Sequence, residues 1–103
     1  MHAAIAERLQ DMADVCRRYD VAKLEVFGSA ARGDDVDPAT SDADFLVEFK
    51  PGSQLPPLHQ YFGLVRALEE LLGRQVDLVQ PRAVRNPFML AEINRAREVI
   101  FAT

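Results

Sequence analysis

The chain has 103 residues, of which 49% are hydrophobic and 27% charged, which fits one small globular domain over residues 1–103 and excludes disorder and collagen-like repeats. Twelve Lys and Arg stand against sixteen Asp and Glu, a net charge of -4. The excess is local: Asp34, Asp35, Asp37, Asp42, Asp44 and Glu48 face Lys50 alone in residues 34–50, a net of -5, and the flanking segments balance to within one charge. With Lys23 and Lys50 as the only lysines, the chain lacks the basic footprint of a duplex binder, so direct nucleic-acid binding is disfavoured. One cysteine, Cys16, permits no intramolecular disulfide and points to a reducing compartment, with the cytoplasm as the default. Early charges break up any signal-peptide core, and no run approaches the ~20 apolar residues of a membrane span.

In chain order, Ile5, Leu9, Met12, Cys16 and Tyr19 recur at spacings of three and four among charged residues, which predicts an amphipathic helix over about 2–19 with Cys16 in the core. Val21 to Phe27 reads as a strand ending at Gly28-Ser29, followed by a short helical turn through Arg32 and a loop over 33–40 dense in turn formers. Asp42 to Phe49 reads as a second strand. Its Asp42, Asp44, Leu46 and Glu48 share one face, and Ala43, Phe45, Val47 and Phe49 share the other, which must be buried. After the linker Pro51 to Pro57, the residues Leu58, Tyr61, Phe62, Val65, Leu68 and Leu72 predict a long helix closed by Gly73. Val76 to Val79 is a short third strand. Asn86-Pro87 looks like an N-cap with Pro at the first helical position, opening a helix through about Arg97 with Phe88, Met89, Leu90 and Ile93 as its apolar residues, and Glu98 to Phe101 is a final strand. The expected fold is α/β (α+β): a small mixed β-sheet with helices packed on one face and a polar site on the other or at its edge.

Chemistry concentrates in Val26-Phe-Gly-Ser-Ala-Ala-Arg-Gly-Asp34 and Ser41-Asp-Ala-Asp-Phe-Leu-Val47. Gly28 allows close backbone approach at a strand end, and Ser29 would sit where free N–H groups of the next turn favour a phosphate. Asp42 and Asp44, two apart on a strand, point to one side and can share oxygen-liganded cations. Two Mg²⁺ ions there would clamp a triphosphate and lower the pKa of an attacking hydroxyl. Asp77 lies inside a short apolar strand, where a carboxylate asks for a partner, so it is the candidate third ligand and proton acceptor. Such a set suits in-line nucleotidyl transfer from a nucleoside triphosphate. Arg32 reads equally as a phosphate ligand or as a clamp on the loop through Asp34 or Asp35. Those two acids and Asp37 read as solvated loop. Glu48 lies about 13 Å along the strand from Asp44, beyond the reach of the same ion. His2 and His59 stand isolated from other zinc ligands. Tyr19 and Tyr61 read as core residues of helical stripes, and Arg82, Arg85, Arg95 and Arg97 as a solvated basic surface.

The pattern Gly28-Ser29, Ala31-Arg32-Gly33-Asp34, Ser41-Asp42-Ala43-Asp44 and Asp77 resembles the minimal nucleotidyltransferases of the DNA-polymerase-β-like superfamily, in particular the MNT-type antitoxins that pair with HEPN-domain toxins. The resemblance spans nearly the whole chain. It implies a polymerase-β palm-like fold, Mg²⁺ held by Asp42, Asp44 and Asp77, phosphates gripped at Gly28 and Ser29, and transfer of AMP from ATP to a tyrosine of a cognate HEPN toxin, which is silenced. In one respect the chain departs from these antitoxins: twelve residues separate Ser29 from Asp42, a longer spacing than usual, with the extra length in the Asp34 to Thr40 loop. Two other functions compete with the adenylyltransferase reading. One is a non-catalytic antitoxin that neutralises its partner by covering it, and the other is a nucleotidyltransferase acting on RNA or a small molecule. The sequence leaves open the acceptor, the number of nucleotides transferred and any homo- or hetero-oligomeric state.

Overall fold

The computed structural model describes residues 3–28, 43–81, 84–95 and 97–103. Two helices begin the chain, α1 (Ala3–Ala6) and α2 (Leu9–Arg18), where the apolar spacing predicts one. The break has a local cause in the backbone: the Arg8 N–H donates to the Ile5 carbonyl three residues back at 3.0 Å, one tight turn, before Met12 to Arg8 bonding at 2.9 Å resumes the α-helix. Ile5, Met12, Val15 and Cys16 stay buried, and Leu9, expected on the same stripe, comes out to the surface. Burial pushes the Cys16 thiol up to about 12. The chain reverses at Asp20, which takes a left-handed conformation (φ 55°). Its carbonyl accepts the Lys50 N–H at 2.9 Å and its carboxylate accepts the Ser53 hydroxyl at 2.7 Å.

Strand β1 (Val21–Phe27) pairs antiparallel with β2 (Ala43–Phe49) on one side and with β4 (Arg97–Ala102) on the other. Helix α3 (Pro57–Leu72) returns the chain so that β3 (Val76–Val79) lies parallel to β2, and α4 (Pro87–Arg95) precedes β4. The sheet order is β3-β2-β1-β4, a mixed sheet as expected, with β3 and β4 at the edges. Gly73 ends α3 in the left-handed conformation (φ 65°), its N–H donating to the Glu69 carbonyl at 2.8 Å. The Asn86 side-chain oxygen caps α4 by accepting the Phe88 N–H at 2.9 Å. That helix stops at Arg95, short of the expected Arg97, because Arg97 already pairs with Phe27 in the sheet.

Helices α2 and α3 cover one face of the sheet. Val21, Leu24, Val26, Phe45 and Val47 meet Met12, Cys16, Leu64 and Leu68 there in the main core. At Gly63 the ring of Tyr19 lies against the helix where a Cβ would stand, which lets α2 and α3 approach closely. Only part of the predicted α3 stripe is used: Leu68 is buried and Tyr61, Val65 and Leu72 pack beside it, whereas Leu58 (73% exposed) and Phe62 (60% exposed) lie at the surface, and Leu64, outside the predicted stripe, is buried in their place. Helix α4 is the exception to one-sided packing. Its Ile93 buries against Phe27 and Leu46 on the opposite face, with Val79 and Val84 beside them, so a helix covers Leu46 on the face where helices were not expected. The other large apolar residues of α4, Phe88, Met89 and Leu90, are exposed, Phe88 by 85%.

Candidate active site

Three elements meet at one end of the sheet, beside the small apolar cluster. Strand β1 ends at Phe27, opposite Asp44 of β2, and Gly28 follows with φ 72°, a conformation that L side chains rarely adopt. A Cβ at Gly28 would lie 2.9 Å from Asp44 Oδ2, so the glycine makes room for that carboxylate. In the parallel β2–β3 pairing Asp44 stands directly opposite Asp77. Residues in register on neighbouring parallel strands project to the same face, about 4.8 Å apart at the backbone. The two acids therefore stand side by side, Asp77 exposed and Asp44 half-buried, on the face that also carries Leu46 and Val79. The expected grouping of Gly28, Asp44 and Asp77 is thus present. Asp42, Ser29 and Arg32, with Asp34, Asp35 and Asp37, lie outside the described residues.

Among the described residues, no group of three or more His, Cys, Asp or Glu gathers at one point. The donors that β2 and β3 do bring together are carboxylate oxygens in register, the chemistry of a hard, oxygen-liganded divalent cation such as Mg²⁺, and Asp42 would enter from the residue preceding β2. The donor set fits that ion.

Side chains whose roles were not legible in the sequence surround this pair. Tyr61, expected in the core, does pack against it, but its hydroxyl also donates to the Leu78 carbonyl, next to Asp77. Burial first, and the Asp77 charge second, push the Tyr61 phenol above its ordinary value, which keeps it a proton donor. Glu69 Oε2 accepts the Val76 N–H at 3.2 Å, on the other side of Asp77. Farther along the same face of β1, Glu25 is only 5% exposed and is gripped by Arg97, whose Nε and Nη2 each donate to a carboxylate oxygen at 2.8 Å. Lys23 Nζ lies 3.4 Å from Glu25 Oε1. The Arg97 hydrogen bonds hold the Glu25 carboxyl below the usual carboxylate range, against the opposing effect of burial. Arg97 is therefore a structural partner of Glu25 and not simply part of a solvated basic surface. Arg82 lies outside the described residues, and Glu48 is exposed.

A family model described as a nucleotidyltransferase domain matches residues 12–101. The chain belongs to the nucleotidyltransferase family. It is 34% identical over 84 residues to the protein adenylyltransferase MntA of Thermococcus cleftensis, covering 82% of this chain and 77% of that one. A solved minimal nucleotidyltransferase, 32% identical, superposes with a TM-score of 0.73 over 95% of both chains. The MNT antitoxin in complex with a tri-AMPylated HEPN toxin from Shewanella oneidensis has the same fold at 17% identity, with a TM-score of 0.62 over 96% of this chain and 73% of that one. The nucleotidyltransferase fold is thus the expected mixed sheet with its helices, and the protein is an enzyme of the class whose curated relatives are protein adenylyltransferases. Among its described residues, no helix of this nucleotidyltransferase is long and apolar enough to cross a membrane.

Proposed function

We propose that the enzyme transfers AMP from ATP, with Mg²⁺, to a protein hydroxyl, a tyrosine of a cognate HEPN toxin, and so acts as its antitoxin. The observation that carries this reading is the pair Asp44 and Asp77, set in register on β2 and β3 with Gly28 cleared of side-chain atoms beside Asp44. The kinship with the protein adenylyltransferase MntA, and the fold shared with an antitoxin found in complex with a tri-AMPylated HEPN toxin, support this choice of acceptor. The same reading treats residues 1–103 as one domain working in the cytoplasm.

Asp42, Asp44 and Asp77 are the candidate ligands, and Mg²⁺ held by them would neutralise the triphosphate and the charge that develops on the transferred group. Gly28 lets the chain run close to the phosphates, with Ser29 and Arg32 as candidate donors to them. In the transfer, the acceptor oxygen bonds to the α-phosphorus, the bond from that phosphorus to the β-bridging oxygen breaks, and pyrophosphate leaves. The acceptor proton passes to a carboxylate, for which exposed Asp77 is the candidate.

Co-expression with a candidate cognate HEPN toxin, followed by intact-mass measurement, tests the reading. The toxin should gain the mass of AMP in the presence of the unmodified enzyme and none with Asp44→Asn, which should also lose neutralisation. A toxin that stays unmodified, and is still silenced by Asp44→Asn, would assign the protein to the non-catalytic antitoxins.

A further inference from the structure

Among the described residues, strand β3 carries Asp77 at an edge of the sheet, and a four-residue edge strand with one neighbour is a weak platform for a ligand. Its ladder to β2 begins where the Ala43 N–H donates to the Gln75 carbonyl at 3.0 Å. Backbone groups alternate in direction along a strand, so those of Gln75, Asp77 and Val79 face β2, and those of Val76 and Leu78 face the edge. There a fifth strand would normally satisfy them or water would take them. Here α3 takes one group of each residue: Glu69 accepts the Val76 N–H, and Tyr61 donates to the Leu78 carbonyl. The two side chains lie eight residues apart, a little over two turns, and so stand on one side of the helix. They bracket Asp77 on its own strand.

We infer that Tyr61 and Glu69 are positioning residues that stand in for a missing strand and hold β3 in register, thereby fixing Asp77 beside Asp44. Neither touches the reacting atoms. Helix α3 is in turn anchored by Leu64 and Leu68 in the main core, so the level of the Asp77 carboxylate is referred to the most buried part of the molecule. The inference rests on Asp77 being a metal ligand, as proposed above.

Amide hydrogen exchange on the metal-free protein and Mn²⁺ binding followed by electron paramagnetic resonance test it together. Tyr61→Phe keeps the ring and removes the donor, Glu69→Ala removes the acceptor, and Glu69→Gln keeps an acceptor. The first two should raise exchange at Asp77 and Val79 by roughly 5- to 10-fold, leave the β1 amides unchanged, and weaken Mn²⁺ binding by a similar factor, whereas Glu69→Gln should stay near the unmodified protein. Unchanged β3 exchange and Mn²⁺ affinity in Tyr61→Phe and Glu69→Ala, or faster exchange spread over the whole sheet, would overturn the inference and leave the metal site standing. Mn²⁺ binding as tight in Asp77→Asn as in the unmodified protein would instead remove the metal-site reading, and the inference with it.

Discussion

The two faces of the sheet are made by the same strands and do different work. Along β2, Ala43, Phe45 and Val47 enter the main core under α2 and α3, whereas Asp44, Leu46 and Glu48 lie on the other side. Along β1, Leu24 and Val26 are core, and Lys23, Glu25 and Phe27 turn to the side of Asp44. On the covered face, burial of apolar area stabilises the fold, by roughly 25 cal/mol for each Å² removed from water. On the other face, among the described residues, Phe27, Leu46 and Ile93 form a small buried cluster with Val79 and Val84 packed beside it, and Glu25 is held in an ionic group with Arg97 and Lys23. A strand of period two lets adjacent residues serve stability and chemistry without competing for one environment. The lesson is that the two properties should be separable by substitution, one residue apart.

The sharpest test of that separation is Phe45 against Asp44. Phe45 is fully buried, so Phe45→Ala should lower unfolding stability by about 3–5 kcal/mol in urea titrations. Its half-exposed neighbour, changed in Asp44→Asn, should leave the urea midpoint nearly unmoved while the transfer activity disappears. Comparable losses of stability from both would break the comparison. Gly28→Ala should come next, because the new Cβ would stand 2.9 Å from Asp44 Oδ2 at a backbone φ of 72°. The expected result is a rate roughly 10²-fold lower, as for small misplacements of catalytic groups, with only a modest shift in thermal unfolding.

The smallest effect is expected from the ionic part of the open face. Arg97→Met leaves the buried Glu25 carboxylate with Lys23 alone and should cost about 1.5 kcal/mol at neutral pH, the loss being limited because the Arg97 side chain is itself partly exposed. Since the fold lowers the Glu25 pKa, the stabilisation is fully present above the unfolded value, about 4.3, and is lost as pH falls from there through the lower folded value. The gap between the unmodified protein and Arg97→Met should therefore close over that acidic window in pH-dependent unfolding. A gap that stays constant through it would show that the pair does not titrate as a stabilising unit.

Local patterning carried much of the architecture. Val76 to Val79 forms the strand that its apolar run predicts, α3 ends at Gly73 where a left-handed cap is needed, and Cys16 is buried as its helical spacing requires. Period and capping are properties of neighbouring residues, so they are visible in one dimension. The break at Arg8, the outward position of Leu58 and Phe62, and the cover that Ile93 places over Leu46 were not visible. Each depends on how far one element overlaps another. The Glu25 to Arg97 pair joins residues 72 apart, and nothing local to Glu25 announces its partner.

For the site, the sequence alone determined the reagents: a glycine at a strand end, carboxylates spaced two apart, and an aspartate set in an apolar tetrapeptide. In the proposed transfer, those choices would answer the need for room beside the phosphates and for oxygen donors to a cation. Only the tertiary structure decided that Asp77 stands opposite Asp44, because register between β2 and β3 is set by the crossover of α3 and the packing of its Leu64 and Leu68. It also decided that Tyr61 and Glu69 close the outer edge of β3, since which backbone groups lack a strand partner is known only when the order of strands is known.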